Sequence, residues 1–257
     1  MVLTAHLREL RKRLIVSVIA TAIGFAICYN FSVELYDILT QPLRPSLPAG
    51  QDFLVFTGVT EPFFIYMKIG FVGGVILASP VILFQVWGFV APGLYKEEKL
   101  WFIAIVISSV ILFAAGSLFA YFVVFPFGFK YLLSYASESL KPILSMELYF
   151  SFATKFLLAF GAVFQLPLAI LVLARMGVVT AGKLLSWWRY ALVVILIVAA
   201  VLTPTPDVFN QFLMAGPLVV LYGLGIIVAK LFGKKKAAPS EDGDEAEEEY
   251  GDEGEEE

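Results

Sequence analysis

Residues 99–125 read KLWFIAIVISSVILFAAGSLFAYFVVF. After Lys99 this run carries no charged side chain. At ~1.5 Å per helical residue it exceeds the roughly 30 Å of a bilayer's hydrocarbon layer. The rest of the chain agrees with a membrane reading. Hydrophobic residues make up 60% of it, charged residues 16%, and mean hydropathy is +0.85. A soluble domain needs a polar surface that this composition does not supply, so its outer surface faces lipid.

Five further apolar runs flank the first one. They cover 14–31, 61–90, 147–175, 187–202 and 208–229. The chain therefore reads as an all-α membrane protein with six transmembrane helices. The segment before 14 reads as a short basic helix capped by Thr4. Pro80 predicts a bend in the second span. Residues 32–60 and 126–146 read as outside loops, the first with short interfacial helices. Thirteen of the 18 Lys and Arg fall on one side, among them Arg8, Arg11, Lys12, Arg13, Lys96, Lys99, Arg175, Lys183 and Lys230. The richer side is the cytoplasmic one, which places both termini there.

Residues 1–232 then form the membrane domain, and 233–257 a basic-then-acidic tail. Twelve acids lie from Glu241 to Glu257; without them the net charge of −4 becomes +8. Such a tail buries too little apolar surface to fold and reads as disordered. The last two spans look short. Between Arg189 and Thr203 the apolar stretch covers roughly 20 Å, and 212–229 covers roughly 27 Å. A thinned bilayer is expected beside them.

Chemistry-bearing patterns are few. There is no GxxxxGK[ST] phosphate loop. The single histidine, His6, excludes a histidine-based metal cluster, and no cofactor is expected. The lone Cys28 makes no intrachain disulfide. The spans lack paired acids, so the chain reads as a non-enzyme with an external energy source. Gln165, followed by Leu166-Pro167, is a polar group at depth. It is either interhelical glue or a polar spot in a groove. Lys68 and Lys155 read as snorkelling lysines near outer span ends. Gly70 and Gly74 form a GxxxG for close helix packing. Glu9 lies within a basic helix, and Glu97 and Glu98 lie beside Phe89, Pro92 and Tyr95. Such carboxylates suit a guanidinium, although on physics alone solvated pairs of Glu9 with Arg13 and of Glu98 with nearby lysines are the simpler account.

HLRELRKRL at 6–14, SPVILFQVWGFVAPGLYKEE at 79–98, FAYFVVFPFGF at 119–129, FGAVFQLP at 160–167 and TPTPDVFNQ at 203–211 resemble the TatC family. These are the multispanning receptors of the twin-arginine protein translocase. The resemblance implies binding of twin-arginine signal peptides and export of folded proteins using the protonmotive force. It implies TatA-type and TatB-type single-span partners, self-association in a larger complex, and residence in the bacterial cytoplasmic (inner) membrane. By position it assigns signal-peptide binding to Glu98, Glu9, Phe89 and Arg11, with Arg11 ordering Glu9 or the loop. Gln165 stands where many members have Glu, which leaves it a hydrogen-bonding role. Thr203, Thr205, Asp207 and Gln211 become candidates for docking a partner's helix. Pro42 matches a structural proline of the first outside loop. The rival reading, an ion-coupled secondary transporter of a small solute, requires ionisable midspan residues that this sequence lacks.

Overall fold

The structure is a computed structural model that describes residues 2–47, 54–90, 99–135, 142–202 and 208–233. The acidic tail and the 203–207 turn lie outside those residues. In chain order the helices are α1 (Val2–Asn30), α2 (Ser32–Thr40), a 3-10 turn (Arg44–Ser46) and α3 (Glu61–Val90). They continue with α4 (Lys99–Phe119), a π turn (Ala120–Val124) and α5 (Phe125–Leu133). Then come α6 (Met146–Val163), α7 (Leu166–Arg175), α8 (Ala181–Ser186), α9 (Trp188–Leu202) and α10 (Val208–Phe232). Among the described residues five helical runs are long and apolar enough to cross a membrane, and Trp188–Val201 is a shorter apolar helix.

The run 146–175 is the centre of the fold: half of its most apolar window is buried, against 6% for α1. Its core is aromatic. Phe125, Phe150 and Phe160 are fully buried, and the Phe152 and Phe156 rings lie 4.0 Å apart. In lipid the hydrophobic effect does not separate core from surface, so packing and polar pairing hold these helices together. Polar pairing is complete among the described residues, where no buried side-chain nitrogen or oxygen lacks a partner. Ser117 Oγ, for example, donates to the Leu157 carbonyl at 3.1 Å.

α1 packs along α3 through glycine. A Cβ on Gly74 would lie 2.5 Å from the Phe25 nitrogen, and one on Gly24 2.5 Å from the Gly74 carbonyl oxygen. Gly70 likewise touches the Tyr29 backbone. The GxxxG pattern thus does the packing expected of it.

Several boundaries differ from the sequence reading. α1 is one continuous helix from Val2, so position 4 lies inside its first turns and not before a helix start. Pro80 sits within α3 without ending it. Pro126 opens no loop, because the π turn at 120–124 widens the helix just before it and the chain stays helical to Leu133. The fourth run breaks at 164–165, directly before Pro167, whose missing N–H cannot serve the Val163 carbonyl. Only one of the last two helices is short. α9 has 15 residues, about 22 Å, whereas α10 has 25, about 37 Å.

The first outside segment is tied down by tyrosines. Tyr121 OH donates to the Ile38 carbonyl at 2.7 Å, and Tyr149 OH donates to that of Leu39. Pro42 and Leu43 of this segment are buried.

Candidate functional site

At the Val90 end of α3, one face of α1 meets one face of α3. Residues 6, 9 and 13 recur at helical spacing on α1, as do 85, 88 and 89 on α3. The His6 and Phe89 rings stack with centroids 4.4 Å apart. Arg13 Nη1 donates to Gln85 Oε1 at 3.3 Å, and the guanidinium lies flat against Gly88. From there Arg13 reaches back to Glu9 with Nε at 3.0 Å and Nη2 at 2.7 Å. Both bonds fall on Glu9 Oε1, so among the described residues Oε2 is left to accept from a further donor. The carboxylate is oriented but not used up, and its side chain is 42% exposed.

The guanidinium that orders Glu9 is therefore that of Arg13. Arg11 points to solvent. Glu98 lies outside the described residues. His6 and Gln85 join Arg13 in this cluster, and reading residues singly missed those two. Their helical spacing from Glu9 and Phe89 was the available signal.

Gln165 sits at the break between α6 and α7. Its Nε2 donates to the Ser109 carbonyl at 3.1 Å and to the Gly161 carbonyl at 3.4 Å. Its Oε1 accepts from Ser109 Oγ, which itself accepts from Trp87 Nε1 at 2.9 Å. Ser109 is fully buried. One amide and one hydroxyl thus link α3, α4 and the α6–α7 break. Trp87 is two residues from Phe89, so this network starts beside the α1–α3 cluster.

Of the four residues around the last turn, Thr203, Thr205 and Asp207 lie outside the described residues. Gln211 Nε2 donates to the Leu196 carbonyl at 3.2 Å and holds α10 to α9. Lys68 Nζ donates to Ser151 Oγ at 2.7 Å, joining α3 to α6. Among the described residues no three His, Cys, Asp or Glu side chains gather as metal ligands do.

The family profile of TatC, the Sec-independent protein translocase protein, matches residues 5–217. A Sec-independent protein translocase protein TatC of Desulforapulum autotrophicum is 47% identical over 93% of this chain and 88% of its own length. One of Aquifex aeolicus is 43% identical over 92% of this chain and 98% of its own. A crystal structure described as the twin-arginine translocase receptor TatC superposes with a TM-score of 0.78 at 42% identity, covering 88% of this chain and 98% of that one. The profile spans well over half of the chain, and on this ground the chain belongs to the TatC family of Sec-independent protein translocase proteins.

Proposed function

We propose that this protein is the receptor and scaffold subunit of a twin-arginine translocase in a bacterial cytoplasmic membrane. It crosses that membrane six times with both termini in the cytoplasm. α9 then supplies the fifth crossing despite its length. The placement of Lys and Arg supports this orientation.

The observation that carries the function is the half-used carboxylate of Glu9 beside Phe89. A twin-arginine signal peptide needs an oriented anionic acceptor and an adjoining apolar surface. Glu9 Oε2 offers the first and the Phe89–His6 pair the second. A guanidinium gains from a fixed carboxylate because its planar fork matches it, which an ammonium does not. Glu98 would be the second acceptor, and Arg11 a positive rim residue. TatA-type and TatB-type single-span proteins are the partners, with Thr203, Thr205, Asp207 and Gln211 at one docking edge. Transport draws on the protonmotive force, and the chain itself performs no catalysis. Its membership in a translocase family displaces the solute-transporter reading.

The test is crosslinking of a signal peptide bearing two arginines, and of one with both replaced by lysine, to wild type, Glu9→Ala and Glu98→Ala. Crosslinks are expected with the arginine peptide on wild type, weaker ones on each variant, and few with the lysine peptide. No discrimination by wild type would overturn the receptor function. Full crosslinking of both variants would remove these two residues from the site.

A further inference from the structure

At the opposite end of α3 a cavity of about 290 Å³ lies between the 57–60 turn, the start of α3 and the start of α6. Its charged lining residues are Glu61, Lys68 and Glu147. They are arranged by depth. Lys68 lies seven residues into α3, about 10 Å along the axis from Glu61. Its Nζ donates to Ser151, four residues further along α6 than Glu147, which sets the ammonium deeper than that carboxylate. Glu61 and Glu147 belong to the first turns of α3 and α6.

The two carboxylates differ. Glu61 is spent on the fold. Its Oε2 accepts from Thr57 N at 2.8 Å, Gly58 N at 3.2 Å and Thr57 Oγ1 at 3.2 Å, while Oε1 accepts from Glu147 N at 2.9 Å. Glu147 itself is exposed, and among the described residues no cation lies within ion-pair distance of it. Lys68 has the same standing: its hydrogen bond goes to a neutral hydroxyl, and among the described residues no carboxylate pairs with it. A lysine held inside a membrane-protein wall with only a hydroxyl partner has donors left for an anion. The apolar edge is also present. Phe64, which lines the cavity, is 60% exposed, and Leu148, next to Glu147, is 74% exposed.

We infer that this cavity holds the headgroup of an aminophospholipid, its phosphate on Lys68, its primary ammonium on Glu147, and its glycerol and acyl chains along Phe64. The order of charges carries the assignment. In such a lipid the phosphate is nearer the acyl chains and the ammonium lies beyond it, matching a cation inside and an anion outside. A choline headgroup has no N–H to give Glu147. An anionic headgroup without an amine could set its phosphate on Lys68 but would bring no cation to Glu147. The volume suits a small polar group, not a whole lipid, which leaves the chains in the bilayer. This inference is independent of signal-peptide recognition.

The full-length protein in detergent is titrated with micelles containing dioleoyl phosphatidylethanolamine, phosphatidylcholine or phosphatidylglycerol, and separately with free O-phosphoethanolamine and inorganic phosphate. Thermal unfolding and lipid adducts in native mass spectrometry are read. Phosphatidylethanolamine is expected to raise the midpoint about 3 °C above the other two lipids and to give the most retained adducts. Lys68→Gln and Glu147→Gln should lose that preference; Lys68→Arg should keep it, as should Lys155→Gln outside the cavity. Since Glu147 is exposed, its variant folds even where Lys68→Gln does not. Equal shifts from all three lipids, a preference for phosphatidylglycerol, an effect of free phosphate or phosphoethanolamine as large as that of the lipid, or an undiminished preference in Glu147→Gln would each overturn the assignment.

Discussion

The guanidinium of Arg13 lies so close against Gly88 that a Cβ there would come within 2.3 Å of Nη1. The absence of a side chain on α3 is what lets α1's arginine lie flat and hold Glu9. Gly88→Ala is expected to fold, because the obstructing group is the end of a flexible side chain. It should displace Arg13 and weaken signal-peptide crosslinking about fivefold, the loss of roughly one hydrogen bond's worth of orientation. The loss should vanish in a Glu9→Ala background, where there is no carboxylate left to orient. Equal losses in both backgrounds would mean that Gly88 acts apart from Glu9.

Gly74 presents a different kind of obstruction. A Cβ would meet the backbone of Phe25, which cannot rotate away. Gly74→Ala is expected to cost about 1–3 kcal/mol by forcing α1 off α3. Gly223→Ala has nothing within 4 Å of its new carbon. It should leave the unfolding midpoint unchanged or slightly raised. Thermal unfolding in detergent compares the two.

The Trp87–Ser109–Gln165 network should show coupling. A double-mutant cycle of Ser109→Ala and Gln165→Leu is expected to give about 0.6 kcal/mol, up to about 1.7. Gln165→Leu should still fold. If the network also transmits events from the α1–α3 cluster, Gln165→Leu lowers transport while signal-peptide crosslinking stays intact. Normal transport would leave the amide as interhelical glue.

The two tyrosine hydroxyls that hold α2 make a matched pair. Tyr149→Phe strands a carbonyl beneath the outside segment and should cost about 1–3 kcal/mol. Tyr121→Phe, whose bond is exposed to solvent, should cost less than about 1 kcal/mol. Limited proteolysis within 41–60 should quicken in the first variant more than in the second.

The helical runs were legible because lipid disfavours polar interruptions, so each span announces itself as a long apolar stretch with few charges. What the sequence concealed were features that depend on a neighbour. Pro126 looks like the end of a helix because its cost is local, while the π turn that absorbs it shows no residue signature. Ser109 reads as one more small residue in an apolar run; only the arrival of Trp87 and Gln165 from other helices gives it a role. At the recognition end, Glu9 and Phe89 were picked out by position in the resemblance. Arg13 had been weighed only as a solvated partner of Glu9. The structure sets it between Glu9, Gln85 and Gly88, which requires knowing that α1 runs unbroken against α3. Glu98 and the threonines of the 203–207 turn rest on the sequence alone.

The unbroken course of α1 has a mechanical side. The Gly24–Gly74 crossing lies about 22 Å along the helix from Glu9 and about 9 Å from Asn30. A rigid rod pinched at that place is a lever with unequal arms. Any tilt about the pinch moves the Glu9 end about two and a half times as far as the Asn30 end. The Glu9 end therefore has the long travel and the α2 end the short, forceful one. The pull of a seated peptide would reach the outer segment as a small, stiff displacement, without a hinge anywhere in between.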